Sequence, residues 1–321
     1  MSGLRPWSVA WADASREFWG TQEPGDHFST SAGPQVAGRL AALVRDVDRR
    51  LDRADRLTIV DLGAGDGSLL AAIADECPDL AARAHWIAVD LRGISREGVE
   101  SMVAMLPAEL PGAPFDGVVM AHEWLDEIPC EVVERDPDGT DRLVLVDAHG
   151  EEMLGPELSD DAACAALGVD AAAARAWLVR WWPLHEPGDR AEIGSGRDAA
   201  WTWMTGLVRR GVALATDYGH VAGERLDEHR WGTLAAYRAG RIVRPVPDGS
   251  VGITAHVAVD ACQASVPGTR VTRQRDELPR RPLREGARAA DIEAHFGGLA
   301  LRDRAGKGSF AWMQWERGLA P

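Results

Sequence analysis

Short apolar runs, each followed by polar or glycine-rich residues, mark three predicted strands in the first half of the chain. The runs are LTIVDL from residue 57, HWIAVD at residues 85–90 and FDGVVMA at residues 115–121. Apolar residues then recur at helical spacing at Leu69, Leu70 and Ile73, and residues 96–106 are compatible with a helix. Strands that alternate with helices predict an α/β chain with a parallel, doubly wound sheet.

The second half of the chain shows a different pattern. Residues 130–147 alternate between apolar and polar on both sides of the turn signal D-P-D-G, which predicts an antiparallel hairpin. Residues 158–182 are rich in Ala, Leu and Trp and predict helices inserted into the sheet domain. We predict a further strand at residues 212–216, ending at Asp217, and a last sheet strand in SFAWMQWER, residues 309–317.

Composition and charge limit the classes of protein and of partner that fit this sequence. The 321 residues are 45% hydrophobic, which is typical of a globular chain with one large or two modest domains. The formal net charge of -15 argues against nucleic acid and anionic membranes as partners and favours a cationic ligand. The four cysteines have no zinc or disulfide spacing, and we find no membrane span or signal peptide. We therefore expect a cytoplasmic protein with reduced thiols.

A glycine-rich turn follows the first predicted strand. Asp61, Gly63, Gly65 and Gly67 form D-x-G-x-G-x-G, whereas the dinucleotide fingerprint places its third glycine one residue later. The shorter spacing is typical of class I methyltransferases, in which the methionine part of S-adenosyl-L-methionine (SAM) lies across the turn. A tight turn without a ligand and an NAD or FAD site are the alternatives.

An acid at the end of the second predicted strand supports the SAM interpretation. Asp90 is placed to accept hydrogen bonds from both ribose hydroxyls of a nucleoside, because ligands of such sheets bind beyond the carboxyl ends of the strands. The predicted cofactor-binding residues in this part of the chain are Asp61, Gly63, Ala64, Gly65, Gly67, Asp90 and Leu91.

An acidic cluster, HEWLDE at residues 122–127, follows the third predicted strand. Glu123 and Asp126 lie three residues apart on a turn and could together hold the planar fork of a guanidinium group. His122 could act as a base or bind the amino-carboxypropyl group of the cofactor. The alternative is that these carboxylates cap a following helix, an interpretation that we favour for Glu127.

Four segments together resemble one known family. D-L-G-A-G-D-G-S-L, H-E-W-L-D-E-I-P, T-D-Y-G-H and G-I-T-A-H-V occur in this order and are similar to motifs of the MidA-like family of SAM-dependent methyltransferases. Mitochondrial members of that family methylate an arginine of a respiratory complex I subunit during assembly. The resemblance implies a Rossmann-like class I methyltransferase fold, with a seven-stranded, mostly parallel, doubly wound sheet and an inserted helical and hairpin subdomain. It also implies SAM as cofactor, S-adenosylhomocysteine as product and a protein arginine as acceptor.

The chain departs from the family pattern at several positions. His122 stands where the family has Asn, and Glu127 stands where it has Ala. The N-terminal loop at residues 25–34 matches loosely, with an extra His and no Glu, and supplies Asp26 and Thr30 as predicted cofactor contacts. These departures keep two alternatives open: a small-molecule N- or O-methyltransferase of a biosynthetic pathway, and a non-catalytic SAM-binding assembly factor.

Two further residues are candidates for the acceptor site. Tyr218 follows Asp217 and could line the acceptor pocket, or it could be a core tyrosine. His256 follows Thr254, a possible helix N-cap, so we expect it in a first helical turn, where the helix dipole would keep it neutral. It could accept a proton or simply be packed. The tryptophans, among them Trp177 and Trp182, are expected to pack helices, with an aromatic cage for a cationic substrate as the alternative.

These expectations divide the chain into four parts. They are an N-terminal helical segment with a cofactor-covering loop (1–54), a SAM-binding core (55–129), an inserted hairpin and helical subdomain (130–200), and the completion of the sheet with a substrate-binding part (201–321). The expected partner is a methyl-acceptor protein or small molecule, without nucleic acid, metal or membrane. The sequence does not predict the oligomeric state.

Overall fold

The structure, a computed structural model, describes residues 3–22, 30–104, 110, 113–279, 296–304 and 306–320. The chain forms two compact units. The large-sheet unit comprises Ser29–Leu125, Ala200–Tyr218 and Val266–Pro321, and the small-sheet unit comprises Met1–Phe28, Asp126–Ala199 and Gly219–Ser265. Residues 1–54 are divided between the two units. The four predicted parts stay a prediction.

The helices and strands are numbered in chain order. The helices are α1 Trp7–Thr21, α2 Pro34–Arg50, α3 Ser68–Asp75, α4 Asp161–Ala165, α5 Ala171–Trp181, α6 Ser195–Gly206, α7 Ala222–Glu228, α8 Val259–Ser265 and α9 Gln274–Glu277. The strands are β1 Arg5–Pro6, β2 Leu57–Leu62, β3 Ala84–Asp90, β4 Val99–Val103, β5 Phe115–His122, β6 Glu131–Arg135, β7 Asp141–Val146, β8 Glu152–Glu157, β9 Arg190–Ile193, β10 Val208–Asp217, β11 Gly219–His220, β12 Ala235–Arg238, β13 Arg241–Val243, β14 Gly252–Thr254, β15 Val257–Ala258, β16 Arg270–Arg273 and β17 Ala311–Arg317.

A seven-stranded mixed sheet organises the large-sheet unit, in the order β16-β17-β10-β5-β2-β3-β4. The pairs from β10 to β4 are parallel, whereas β17 runs antiparallel to both β10 and β16. The chain builds the sheet outward from β2 to β4 and then returns to place β5 on the other side of β2. This reversal creates a topological switch point, where open α/β sheets bind ligands beyond the carboxyl ends of the strands.

Continuous apolar runs explain the central strands. Both β2 and β5 are buried along their whole length, as expected of parallel strands covered on both faces. One side of α2 joins the same core, since Leu40, Val44 and Val47 recur at helical spacing and cluster with Ile59 and Val118. The three strand predictions at residues 57–62, 85–90 and 115–121 are confirmed to within one residue.

The helix predicted within residues 96–106 is wrong where the structure describes it. Val99–Val103 forms β4, which pairs in parallel with Trp86–Asp90 of β3 at the edge of the sheet. Its side chains are partly exposed, so the segment mixes apolar and charged residues in a way that also fits a helix. Residues 105–109 lie outside the described part of the chain.

The predicted hairpin is confirmed in the small-sheet unit, where β6 and β7 pair antiparallel. The sequence did not reveal that β1 and β8 pair with β7 and that β9 pairs with β6. Helices α4 and α5 lie within the predicted helical segment. Trp177 and Trp182 are buried in a core cluster with Leu178, which confirms the helix-packing interpretation for these two residues.

The remaining strands form small pairings. In the small-sheet unit, β12 pairs with β13 and β14, and β11 pairs with β15. The predicted strand at residues 212–216 begins four residues earlier, at Val208, and the predicted last sheet strand is β17. A doubly wound arrangement requires helices on both faces of the large sheet. This part of the fold stays a prediction.

All four cysteines are buried and present as free thiols. In the part of the chain that the structure describes, no helix is both long and apolar enough to cross a membrane.

Candidate functional site

The glycine turn lies between the end of β2 and the start of α3. Gly63, Gly65 and Gly67 have φ angles of 68°, 58° and 75°, in the region that favours glycine. The backbone N–H groups of Gly63 and Ala64 donate to the carbonyl of Val89, at 2.9 and 3.1 Å, which ties the turn to the end of β3. The turn therefore sits at the carboxyl ends of two neighbouring strands, close to the switch point.

Close packing explains why side chains are excluded from this turn. A Cβ at Gly63 would lie 2.6 Å from Cδ1 of Trp124, and a Cβ at Gly67 would lie 2.8 Å from Cγ2 of Ile94. Both distances are shorter than real Cβ contacts, so glycine is required for packing as well as for the backbone angles.

Asp90 ends β3 beside the turn. Its Oδ2 accepts a hydrogen bond from the N–H of Gly65 at 2.9 Å, and its Oδ1 accepts one from the N–H of Arg92 at 3.3 Å. A carboxylate has about four acceptor positions, so Asp90 retains capacity for hydroxyl donors. Burial raises the pKa of Asp90, although the N–H groups of Gly65 and Arg92 oppose that rise. Leu91 follows directly and is partly buried.

Asp61 contributes a second acid beneath the turn. It lies in β2 and is 2% exposed. Burial, followed by the neighbouring charge of Asp90, raises the pKa of Asp61 to about 8. At neutral pH, Asp61 is therefore mostly protonated in the ligand-free protein, and a cationic group placed near these acids would favour its ionisation.

At the end of β5, Ser31 lies between His122 and Glu123. The Oγ of Ser31 is 2.7 Å from Nε2 of His122 and 2.9 Å from Oε1 of Glu123. The backbone N–H of Ser31 also donates to Oε1 of Glu123, at 2.5 Å. The three residues form one nearly buried hydrogen-bonded group that joins the segment before α2 to the end of β5.

Glu123 has an unusual backbone conformation. Its φ angle is 54°, which costs a residue with a Cβ about 1 kcal/mol or more. Its N–H donates to the carbonyl of Thr216 at 2.8 Å, which fixes the segment beyond β5 to β10. The surrounding hydrogen bonds therefore hold the Glu123 side chain in one place.

Lys307 is the positive charge that acts on His122. Burial, followed by the charge of Lys307, lowers the pKa of His122 to about 4, so its imidazole is neutral at physiological pH. The Nζ of Lys307 donates to the carbonyl of Thr30 at 2.6 Å. Thr30 thus contacts Lys307 and directly precedes Ser31. Asp26, the other predicted contact of the N-terminal loop, lies outside the described residues.

Tyr218 follows β10. Its N–H donates to Oδ1 of Asp217 at 2.9 Å, and its ring is tilted against Phe310, with ring centroids 5.4 Å apart. Tyr218 is only partly buried. Its role in an acceptor pocket stays a prediction.

Asp126 and His256 belong to the small-sheet unit, where Arg197 connects them. The guanidinium of Arg197 donates to the carbonyls of Asp126 and His256, both at 2.8 Å, and to the carbonyl of Ile128 at 3.2 Å. The N–H of Ala255 also donates to the carbonyl of Asp126, at 3.0 Å. Asp126 and Glu127 lie in a 3-10 turn, and the Asp126 side chain is buried.

The predicted position of His256 in a first helical turn is wrong. Strand β14 ends at Thr254, β15 begins at Val257, and α8 begins only at Val259. His256 therefore lies between two strands. Burial, followed by electrostatic effects of the neighbouring His229 and Arg197, lowers the pKa of His256 to about 4, so its neutrality does not depend on a helix dipole.

His256 is one of three neighbouring histidines. Its ring centroid is 5.0 Å from that of His229 and 6.4 Å from that of His220, and His220 packs edge-on against Trp182 at 4.5 Å. In the described part of the chain, no group of His, Cys, Asp and Glu has the arrangement of a metal site.

Sequence reasoning missed Ser31, Lys307 and Arg197. Ser31 lies 91 residues from His122 along the chain, and Arg197 lies 71 residues from Asp126. No local pattern indicates such contacts. The only available signal was that Ser31 falls within the loosely matched N-terminal loop and that Lys307 is the single lysine of the chain.

The glycine turn, the acid that ends β3 and the switch point between β2 and β5 define the class of protein: an α/β protein with a nucleoside-cofactor site at the carboxyl end of its sheet. Residues 39–273, well over half of the chain, match the family described as "Putative S-adenosyl-L-methionine-dependent methyltransferase". The chain belongs to this family. The predictions of a SAM-dependent methyltransferase and of SAM as cofactor are thereby confirmed, whereas the roles of individual residues stay predictions.

Solved structures share the fold. A protein from Burkholderia thailandensis bound to S-adenosyl-homocysteine is 21% identical with a TM-score of 0.69, over 99% of this chain and 89% of that one. A native crystal structure of an uncharacterized protein from Burkholderia thailandensis is 23% identical with a TM-score of 0.70, over the same shares. The comparison with curated proteins found no match.

Proposed function

We propose that this methyltransferase N-methylates an arginine side chain of a protein, as the MidA-like resemblance implies. The observation that carries the proposal is the group at the end of β5, where an uncharged imidazole and a carboxylate are held together by Ser31. A guanidinium acceptor is a permanent cation with a planar fork of donors, which a fixed carboxylate suits. The net charge of -15 is also favourable for a cationic acceptor.

The residues of the large-sheet unit fit SAM. The three glycines give the turn its positive φ angles, and Asp90 retains acceptor capacity for ribose hydroxyls. The structural neighbour from Burkholderia thailandensis is bound to S-adenosyl-homocysteine, which supports the same site here. When bound, SAM would supply a methyl group on a positively charged sulfur. The residues that we propose to hold it are Asp26, Thr30, Asp61, Gly63, Ala64, Gly65, Gly67, Asp90, Leu91 and His122.

The acceptor side would use the remaining candidates together with His122. Glu123 would hold the guanidinium, and Tyr218 would line its pocket. Asp126 stays a prediction from the sequence for the same role. His122 and His256 are uncharged near neutral pH and each could receive a proton. The main requirement of methyl transfer is to align the attacking atom with the methyl carbon, so fixed carboxylates serve the reaction chiefly by positioning.

A small-molecule N- or O-methyltransferase is the second candidate. The observation that favours it is His122, which replaces the Asn of the family motif and is hydrogen-bonded at the site rather than exposed. A non-catalytic SAM-binding assembly factor is less well supported, because Asp61, Gly65 and Asp90 are all present and Asp90 is hydrogen-bonded to the turn.

We also propose that the protein acts in the cytoplasm and without nucleic acid. The acidic net charge supports the proposal on nucleic acid, since it would repel the phosphate backbone.

Transfer of label from isotopically labelled SAM distinguishes the acceptor classes. The protein is incubated with a lysate of its source organism, and label is followed in protein and in small-molecule fractions. The proposal predicts label in protein, recovered as methylarginine after acid hydrolysis, and none with Asp90→Asn. Label confined to small molecules would instead establish the second candidate.

A further inference from the structure

Ser31 constrains where the protons lie at the end of β5. A backbone N–H can only donate, so the 2.5 Å contact from the Ser31 N–H makes Oε1 of Glu123 an acceptor. The Ser31 hydroxyl lies within hydrogen-bond distance of that same oxygen and of Nε2 of His122. A hydroxyl carries one proton, so it donates to one neighbour and accepts from the other.

The direction of these hydrogen bonds follows from the charge of Glu123. A charged Glu123 only accepts, so the Ser31 hydroxyl donates to it and accepts from Nε2–H of His122. In a neutral imidazole with its proton on Nε2, Nδ1 carries the lone pair. Within the described residues, Nδ1 of His122 has no hydrogen-bond partner. The arrangement therefore presents a free basic nitrogen.

We propose that His122, Ser31 and Glu123 form a proton relay, in which Nδ1 of His122 receives the proton lost by the methyl acceptor and Glu123 stores it. The relay rests on the proposed methyl transfer, but it holds for any N–H or O–H acceptor. Ser31 acts as a positioning residue, because it acts through the other two.

The transfer balances in atoms and charge. The acceptor atom forms a bond to the methyl carbon, the carbon–sulfur bond breaks, and the acceptor releases one proton. That proton binds Nδ1 of His122, the Nε2 proton moves to Oγ of Ser31, and the Ser31 hydroxyl proton moves to Oε1 of Glu123. The imidazole ends neutral with its proton on Nδ1, and the carboxyl group ends neutral.

The relay avoids a buried positive charge on His122. His122 is buried and Lys307 is nearby, so an imidazolium at this position would be unfavourable. Passing the proton to Glu123 neutralises a negative charge instead of creating a buried positive one. The ionisable groups to consider are Glu123 itself, Lys307 before β17, and Asp217 at the end of the neighbouring strand β10.

Nuclear magnetic resonance of nitrogen-labelled histidine tests the relay without any methyl acceptor. The chain has nine histidines, and the His122 signals are assigned by their absence in His122→Asn. We expect a neutral ring at near-neutral pH, with the proton on Nε2 and a bare Nδ1. Ser31→Ala should abolish this fixed preference, whereas the matched control Ser159→Ala, which removes an exposed Ser–Glu hydrogen bond of 3.1 Å, should leave it unchanged.

Kinetics complete the test. Glu123→Gln keeps an acceptor for the Ser31 N–H but cannot store a proton, so the His122 tautomer should persist. The rate of label transfer from SAM into the lysate fraction that the wild type labels should fall about 100-fold or more. Affinity for S-adenosylhomocysteine should change less than threefold. An imidazolium, a proton on Nδ1 in the wild type, or an unchanged rate of label transfer in Glu123→Gln would overturn the relay. Failure of S-adenosylhomocysteine to bind the wild type would refute the proposed function instead, and the tautomer measurement would still stand.

Discussion

Trp124 packs against Gly63 so closely that no side chain fits between them. The Cβ of Gly63→Ala would meet the indole at 2.6 Å and would also adopt a φ of 68°. The left-handed conformation alone costs about 1 kcal/mol, and displacement of the indole adds to this cost. We expect Gly63→Ala to weaken binding of S-adenosylhomocysteine at least tenfold, as measured by isothermal titration calorimetry.

Gly98→Ala is the matched control for this substitution. Gly98 also has a positive φ, of 74°, but no atom lies within 4 Å of its Cβ position. Gly98→Ala should therefore carry a similar backbone cost and retain its affinity for S-adenosylhomocysteine. Equal losses of affinity in both variants would show that the Trp124 contact does not shape the site.

Because the pKa of Asp61 is raised, we expect the stability of the ligand-free protein to fall as pH rises. The folded pKa of about 8 lies above the unfolded value of 3.8, so the ligand-free folded protein holds more protons between these values and loses stability as pH rises. The slope is about 1.4 kcal/mol per pH unit at most. Asp61→Asn should remove this loss, so the variant should gain stability relative to wild type as pH increases from about 4 to about 8.

Urea unfolding of both proteins across this pH range measures the effect. Asp116→Asn provides the control of opposite sign, since the hydrogen bond from Arg209 is the main cause that lowers the Asp116 pKa to about 2. Asp116→Asn should therefore lose stability above the pKa of the unfolded carboxyl group. A difference between Asp61→Asn and wild type that is independent of pH would contradict the raised pKa.

At the residue scale, the sequence predicted local features better than contacts. The glycine turn and Asp90 could be predicted because their spacing and their position after apolar runs are local properties. The Ser31–His122 contact could not, because it joins residues 91 positions apart.

At the scale of elements, Arg197 on α6 holds the 3-10 turn that carries Asp126. Its guanidinium is 1% exposed and donates to three backbone carbonyls. Hydrogen bonds from charged groups contribute about 1.5–3 kcal/mol each, and unmatched buried carbonyls add a desolvation cost. Arg197→Leu should lower the free energy of unfolding of the small-sheet unit by about 3 kcal/mol or more.

Chemical denaturation followed by circular dichroism checks this loss. Arg16→Leu serves as the control, since its side chain is 62% exposed and, among the residues that the structure describes, pairs only with Asp13 at the surface. We expect a change below about 1 kcal/mol there. Similar stability of Arg197→Leu and Arg16→Leu would show that the carbonyls find other donors.

Element predictions succeeded where strands are buried on both faces. Strands β2, β3 and β5 have continuous apolar runs, whereas the edge strand β4 is partly exposed and was mistaken for a helix. His256 was misplaced because Thr254 resembles a helix cap, although the chain forms β15 before α8 begins. Short strands that depend on distant partners leave little local signal.

At the scale of the whole molecule, we expect the folded protein to lose stability in acid, because several buried histidines are neutral. Burial lowers the pKa values of His122 and His256 to about 4 and also lowers that of His220. Because the unfolded value is 6.5, their contribution to stability is present above that pH and is lost as pH falls toward 4. Each histidine adds a slope of about 1.4 kcal/mol per pH unit.

Thermal unfolding between pH of about 4 and about 7 measures this dependence. His256→Gln should reduce the slope, whereas replacement of the exposed His149 by Gln should not. A slope that is the same in wild type and His256→Gln would show that His256 is not the group that titrates.

The division into units could not be predicted from the sequence. Each unit is assembled from three separated segments, and residues 219–265 fold with the inserted part rather than with the sheet that they follow. Composition changes little at these boundaries, so only the tertiary contacts reveal them.

Binding of S-adenosylhomocysteine is the most direct test of the central claim, that the large-sheet unit is a methyltransferase cofactor site. At a hundredfold excess over the dissociation constant, the ligand should stabilise the folded protein by about 2.7 kcal/mol, seen as a rise in Tm. The account predicts this rise in the wild type and a much smaller one in Gly63→Ala. No rise in the wild type at millimolar ligand would contradict it.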